Sequence, residues 1–465
     1  MEETEIRRRA MFRAAIVGDA LGVPFTGLKH GHIQQLLGGL ADGFLADPLI
    51  LPERPEKNYL PGLHSAVGQR LLACLAFRMK DDQGRDPVAR VGGELLALAG
   101  EEEGVEHGHR LGALRLPGRP LRRAIERWKR EYPWEEKDFL SAEEDSQGAS
   151  AAISGIAAAL VAPDNPSAAA ESLARLTFFR PIAVGAAVAV AECARLLLAR
   201  QEGKKLDGPK VAREVIEALR SWEAMYLKKH ARQWKDLGWG PPTLLSAMLD
   251  PLPSLLRENN EELAIATILK TAETTESGRA PFPQPGFAGA AIPWILYRAL
   301  GPMPARVALE DIQNRGGECN VVAAITAALF AARNGPSCMP DEWCDATLAL
   351  PIVEKLLDDP SAVNFDKWVA LENRWTQQEE ALRDPLRKAL HKQEDLEAER
   401  NRNHPKKSRL PPQEEALFAP PPHLWLAAAA AESDDPKAKK ILRAARGKRK
   451  IDWKEERHQK SREKK

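Results

Sequence analysis

The chain has 465 residues, 29% of them charged, and a formal net charge of +1. That length accommodates one large core or two domains, and the balanced charge excludes a surface built as a whole for nucleic acid or anionic lipid. Its five cysteines, Cys74, Cys193, Cys319, Cys338 and Cys344, form no CxxC pair, which argues against a disulfide framework or a structural zinc site.

Residues 1–9 are charged and lead into an amphipathic stretch, without the apolar centre of a signal peptide; a cytoplasmic protein is expected. Ala- and Leu-rich segments with apolar residues three and four apart predict helices over 8–21, 69–78, 87–99, 149–160, 182–200, 210–225, 261–271, 288–300 and 320–332. Alternating β-branched runs are nearly missing, so the expected class is all-α. The most apolar windows, 151–162 and 184–199, are shorter than a membrane span needs and read as buried helices; no membrane contact is expected. Pro and Gly punctuate the gaps at 239–242 and 281–286.

The helical domain is expected to cover 1–345, its compact part closing between Asn334 and Asp359, with an amphipathic extension over 346–400. Trp368, Leu371, Trp375, Leu382, Leu386 and Leu390 supply that extension's helical spacing. Residues 401–465 alternate basic clusters with Pro-rich pieces around the apolar segment 424–431 and read as a largely disordered tail with one docking element. Lys437, Lys439, Lys440, Arg443, Arg446, Lys448, Arg449 and Lys450 make that tail a candidate for protein or nucleic-acid contact, although Trp453 is its sole interleaved aromatic.

Four short patterns follow one another in fixed order. Gly18-Asp19-Ala20-Leu21-Gly22-Val23-Pro24-Phe25 ends the first helix. Pro61-Gly62-Leu63-His64-Ser65-Ala66-Val67-Gly68-Gln69 opens the next long one. Ser146-Gln147-Gly148-Ala149-Ser150-Ala151-Ala152-Ile153 and Arg315-Gly316-Gly317-Glu318-Cys319-Asn320-Val321 are polar turns feeding Ala-rich helices. The last three place polar side chains and free backbone N–H groups at helix N-termini, which suits anions and phosphates.

The ordered set resembles the ADP-ribosylglycohydrolase family over roughly residues 8 to 345, where a GDALGxPxE-like opening, a TDDT helix start, an SNGxxMRxxP-like turn and a late GGDTDT turn recur. The stretch 177–197 is similar to the family's region around a TH dipeptide, with Phe178 in the histidine's place. The resemblance implies a single large helical domain and two magnesium ions held by the acids and threonines of TDDT and GGDTDT. Those ions position ADP-ribose and the water that attacks its anomeric carbon.

Carried over position by position, TDDT becomes Ser65, Ala66, Val67 and Gly68, and GGDTDT becomes Gly316, Gly317, Glu318, Cys319, Asn320 and Val321. Thr26 stands where many members carry a glutamate, Gln147 stands for the asparagine of the third turn, and Ala151-Ala152 for its Met-Arg pair. Paired Mg²⁺ needs hard oxygen donors and enough negative charge to hold two cations together. No metal or other cofactor is therefore expected, Ser65, Glu318 and Asn320 being remnants of the ligand set. Glu144, Asp145 and Asp311 are acids that could substitute for the lost ones.

Three readings stay open. The chain is a family member without the hydrolytic activity that binds ADP-ribose, another nucleotide sugar or an ADP-ribosylated ligand. Alternatively it is a divergent hydrolase using Glu318 as a lone general base, or a scaffold acting through its C-terminal extension. His64, Ser65, Ser146, Gln147, Gly148, Gly316, Gly317 and Asn320 are the cleft candidates. Cys319 at a helix start is a conceivable nucleophile but reads better as a small buried side chain. The H-x-H pairs His30/His32 and His107/His109 lack completing ligands for zinc, and Trp234 and Trp239 read as packing residues.

Overall fold

The computed structural model describes residues 2–49, 51, 59–78, 86–100, 110–131, 146–201, 205–237, 242–273, 284, 286–358 and 365–403. Trp239, His107, His109, Glu144, Asp145 and the basic tail after 403 lie outside the described residues. In chain order the helices are α1 (Glu3–Gly22), α2 (His30–Leu37), α3 (Ala66–Cys74), α4 (Pro87–Ala99), α5 (Arg119–Glu131), α6 (Ile153–Val161), α7 (Pro166–Arg175), α8 (Pro181–Leu198), α9 (Gly208–Lys229) and α10 (Ala231–Asp236). They continue with α11 (Leu245–Leu249), α12 (Leu252–Glu258), α13 (Glu261–Glu273), α14 (Ala288–Leu300), α15 (Ala305–Arg315), α16 (Cys319–Asn334), α17 (Asp341–Ala346), α18 (Leu350–Asp358) and α19 (Phe365–Asn403). A two-residue antiparallel hairpin pairs Arg110 with Arg115 and Leu111 with Leu114. The chain is all-α, as its apolar spacing predicts.

Local chemistry sets several helix starts. Asp86, Asn165 and Asp207 accept from Val88, Ala168 and Lys210 N–H at 2.7, 3.4 and 2.9 Å, each with a proline in the following first turn. The cap satisfies a backbone donor that the new helix cannot, and proline's fixed φ suits that turn.

Small residues let the central helices approach closely. A Cβ on Gly18 of α1 would stand 2.4 Å from Ala323 O of α16, and one on Gly22 would stand 2.6 Å from the Asn320 backbone. Together α1 and α16 form the axis of the fold, with α6 and α8 packed beside them. Arg7 is buried and its guanidinium reaches Leu197 O at 2.5 Å, Arg200 O at 2.9 Å and Ala332 O. It thereby ties the C-terminal carbonyls of α8 and α16, the negative ends of two helix dipoles, to the start of α1.

The window 184–199, read from sequence as too short to span a membrane, belongs to the 18-residue α8, the one helix among the described residues long and apolar enough to do so. Its surroundings give it another role: 89% of Pro181–Leu198 is buried inside the fold. A helix apolar all round is what the centre of a bundle requires.

Contacts divide the chain into two units, Met1–Glu394 and Asp395–Lys465. The second contributes to the described residues only the helical end 395–403. Within the first unit α19 turns a mixed face inward. Phe365, Trp368 and Trp375 are buried, as their spacing suggests, while Leu371, Leu382 and Leu386 are only half-buried; the side chain of Leu390 lies outside the described residues. The rest of the inward stripe is polar: Glu372, Thr376, Glu379 and Arg383 are all buried. The sequence offers this helix no partner, and its polar face meets Leu60, His64, Gln69 and the Arg110–Arg115 hairpin.

Candidate functional site

Asp19 sits at the end of α1, fully buried, and accepts hydrogen bonds from Ser65 Oγ at 2.7 Å, Ser65 N–H at 2.8 Å and Gly68 N–H at 2.7 Å. Ser65 Oγ accepts in turn from Val67 N–H at 3.1 Å. The start of α3, which the sequence suggests as a free anion cradle, is thus occupied by the protein's own carboxylate. Burial pushes the Asp19 carboxyl above its ordinary range, against the opposing pull of His64 and its three donors.

The two remnants meet. Asn320 Nδ2 donates to Ser65 Oγ at 3.0 Å, and Asn320 N–H donates to Thr26 Oγ1 at 3.2 Å. Thr26 Oγ1 lies 3.0 Å from both Asn320 Oδ1 and Gly22 O, so its single proton serves one of them at a time. Ser65 gives its own proton to Asp19, so the group facing it must be a donor, and an amide meets that need where a carboxylate would not. Two lost-acid positions, Thr26 and Asn320, are joined with Ser65 and Asp19 in one continuous chain of hydrogen bonds.

Asn320→Asp is expected to cost about 1–3 kcal/mol at neutral pH, because a second carboxylate would face the Ser65 lone pairs close to Asp19. The folded pKa of the new acid would be raised above its unfolded value. The penalty should therefore be full at high pH and shrink as pH falls through that raised value and the protonated acid regains a donor. Urea titrations of both proteins between pH 5 and 8 check this sign.

His64 precedes Ser65 and is fully buried; its Nε2 lies 2.9 Å from Glu372 Oε1 of α19. Glu372 also takes Arg115 Nη2 at 2.5 Å, Gln69 Nε2 at 2.9 Å and Trp368 Nε1 at 2.9 Å. Arg115 Nε donates to His64 O at 2.8 Å, and Gln69 accepts from Arg115 N–H at 3.0 Å. Burial alone would raise the Glu372 carboxyl, but the charges and hydrogen bonds of Arg115 and His64 outweigh it and hold the group down at about 2. Two turns on, Glu379 receives Leu60 N–H at 3.2 Å and pairs with Arg383 at 3.4 Å.

The Gly-Gly turn is zipped to 27–29: Gly317 N–H donates to Leu28 O at 2.9 Å and Gly27 N–H to Gly317 O at 2.8 Å. Gly316 has φ +75 and its Cβ would lie 2.1 Å from Leu28 O, so both conformation and space require glycine there. Glu318 caps the backbone of α16 and is half-buried, its N–H donating to Gln284 O at 3.1 Å. Its Oε1 stands 3.6 Å from where a Cβ on Gly286 would sit.

The same short strap serves the third turn. Ala149 N–H donates to Gly286 O at 2.7 Å and Ala288 N–H to Gln147 O at 2.9 Å, which seats Ser146, Gln147 and Gly148, all half-buried, across Gly286 from Glu318. Phe178 packs on Gly148. The sequence candidates therefore fall into two groups, a sealed one (His64, Ser65, Gly316, Asn320) and an accessible rim (Ser146, Gln147, Gly148, Gly317, Glu318).

Several further residues resolve. Cys319 is buried, with its Sγ 3.3 Å from Ile312 O, and burial together with the adjacent Glu318 charge pushes its thiol far up, so it is no nucleophile. Asp311 is held by Arg298 and by Arg315 at 2.7 Å and does not turn toward the lost acids. His30 Nδ1 lies 2.5 Å from Asn314 O, and Trp234 takes the Arg180 guanidinium over its ring at 5.1 Å.

Among the described residues no three His, Cys, Asp or Glu gather as metal ligands. Mg²⁺ would need several hard, largely anionic donors, whereas Ala66 and Val67 are hydrocarbon, the Asn320 amide is engaged, and the Asp19 carboxylate already accepts three hydrogen bonds. The donor set does not fit a magnesium pair.

No curated protein matches this chain. A solved structure titled "ADP-ribosylglycohydrolase-related protein complex" is similar at 18% identity and a TM-score of 0.46, covering 77% of this chain and 97% of that one. The ADP-ribosylglycohydrolase family model matches residues 2–398, from the first turn of α1 through nearly all of α19, and the chain belongs to that family.

Proposed function

We propose that this family member has given up magnesium-dependent hydrolysis of ADP-ribosyl linkages and serves as a binding protein for a nucleotide sugar or an ADP-ribosylated ligand. One observation carries the reading: Ser65 and Asn320, at positions where the family's ligands are expected, are hydrogen-bonded to each other and to Asp19 and Thr26. Their donors and acceptors are spent within the protein. The rim of Ser146, Gln147, Gly148 and Glu318 keeps polar atoms part-exposed and is where a ligand would be met.

The test is calorimetric titration of the full chain with ADP-ribose, with and without magnesium, beside an assay for ADP-ribose release from Ser-, Arg- and Glu-linked substrates. Binding indifferent to magnesium, without release, is the expected result. Magnesium-dependent release would end this reading, and metal-free release abolished by Glu318→Gln would replace it with a hydrolase using that carboxylate as general base.

A further inference from the structure

Most buried arginines of the first unit have a strong partner, Arg180 lying over the Trp234 ring. Arg115 meets Glu372, Arg298 meets Glu261 and Asp311, Arg383 meets Glu379 and Glu380, and Arg7 is wrapped in helix-end carbonyls. Arg70, on α3, differs. It is 7% exposed, and among the described residues its guanidinium donates only to two neutral acceptors, Ser150 O and Ser154 Oγ, both at a long 3.3 Å. The acid that senses its charge is the Cys74 thiol, which burial pushes up to about 12 and so leaves uncharged at neutral pH.

A buried cation without a counter-charge is costly, because the interior does not repay the hydration it loses. Guanidinium groups do not escape that cost by losing their proton near neutral pH. A fork of N–H donors held just beneath a part-exposed turn matches the two oxygens of a carboxylate or phosphate. The turn itself brings no cation, since Ala151 and Ala152 fill its middle, and Ser150 is half-buried at the surface while Ser154 lies below it.

We propose that Arg70 is the cationic centre of a subsite for a compact oxyanion, a phosphate or carboxylate group, that enters at Ser150 and is held by the guanidinium with the Ser150 and Ser154 hydroxyls. This inference stands apart from the binding reading above: it requires neither ADP-ribose nor the rim at Glu318.

Thermal unfolding of the full chain is to be measured in chloride, inorganic phosphate and acetate at matched ionic strength, for the wild type and Arg70→Met. Phosphate or acetate should raise the wild-type Tm by about 3 °C at saturation, as a ligand specific to the folded state does. Whichever of the two acts identifies the group the subsite takes. Arg70→Met should lose that rise and, relieved of an unpaired charge, melt in chloride no lower than the wild type. The proposal is overturned if neither anion acts on the wild type or if both proteins respond alike, which is general salt stabilisation. It is equally overturned if Arg70→Met melts several degrees lower in chloride or does not fold, since the cation is then structural.

Discussion

Glu372→Gln should destabilise the protein by about 3–5 kcal/mol at pH 7, the range for removing one partner of a buried ion pair. The carboxylate is the common acceptor for His64, Arg115, Gln69 and Trp368, and without it Arg115 is a buried charge that has lost its hydrogen-bonded counter-ion. The pH dependence provides a sharper check. Glu372 is held at about 2 in the folded protein, below the ~4.3 of an unfolded glutamate. Its contribution is therefore fully present above the unfolded value and lost as pH falls through the folded one, amounting to roughly 3 kcal/mol. Urea titrations from pH 7 down to pH 3 should show the gap between wild type and variant constant to about pH 5 and narrowing below it. A gap independent of pH would mean that packing, rather than charge, is lost.

Gly18→Ala is the second large effect. The new methyl would have to occupy a point 2.4 Å from Ala323 O and 2.9 Å from Ala327 Cβ, and a backbone carbonyl in mid-helix cannot step aside as a flexible side chain can. Overpacking of this kind costs about 3 kcal/mol or more. It should act beyond stability, because spreading α1 from α16 draws Thr26 and Asp19 away from Asn320. Amide exchange at Asn320 and Gly68, whose N–H groups donate to Thr26 and Asp19, should accelerate more than exchange at Leu219 in α9. Equal acceleration everywhere would show that the two helices do not govern the network.

Much of the fold is legible in the sequence because its core helices are made of small apolar residues at strict spacing. The predicted 87–99 and 288–300 coincide with α4 and α14. Helix α5 was not legible: in Arg119–Glu131 charged residues crowd the few apolar ones, yet Leu121, Ala124, Ile125 and Trp128 are buried. The brief helices α11, α12 and α17 are too short to show a period.

At the site, motif order was enough to bring Thr26, Ser65 and Asn320 to one place. It was not enough to find Glu372, Gln69 and Arg115. Arg115 lies on a hairpin strand of two residues, and Glu372 lies on a helix whose tryptophans suggested an apolar face. A signal was there: Glu372, Glu379 and Arg383 share the three- and four-residue spacing of Trp368 and Trp375, and charges repeated on an apolar stripe must find buried partners.

The pairing of α1 with α16 also sets the order in which the protein can be made. Glu3–Gly22 is translated long before the surface it packs against, which is not complete until Asn334 has been made. At about 5–20 residues per second, that is a wait of roughly 15–60 s. Throughout it Met11, Phe12, Ile16 and Val17, none of them exposed in the folded protein, have no native partner on α16. Closing a loop of that length is entropically costly and slow, so α1 is expected to keep an apolar face unpartnered for much of synthesis.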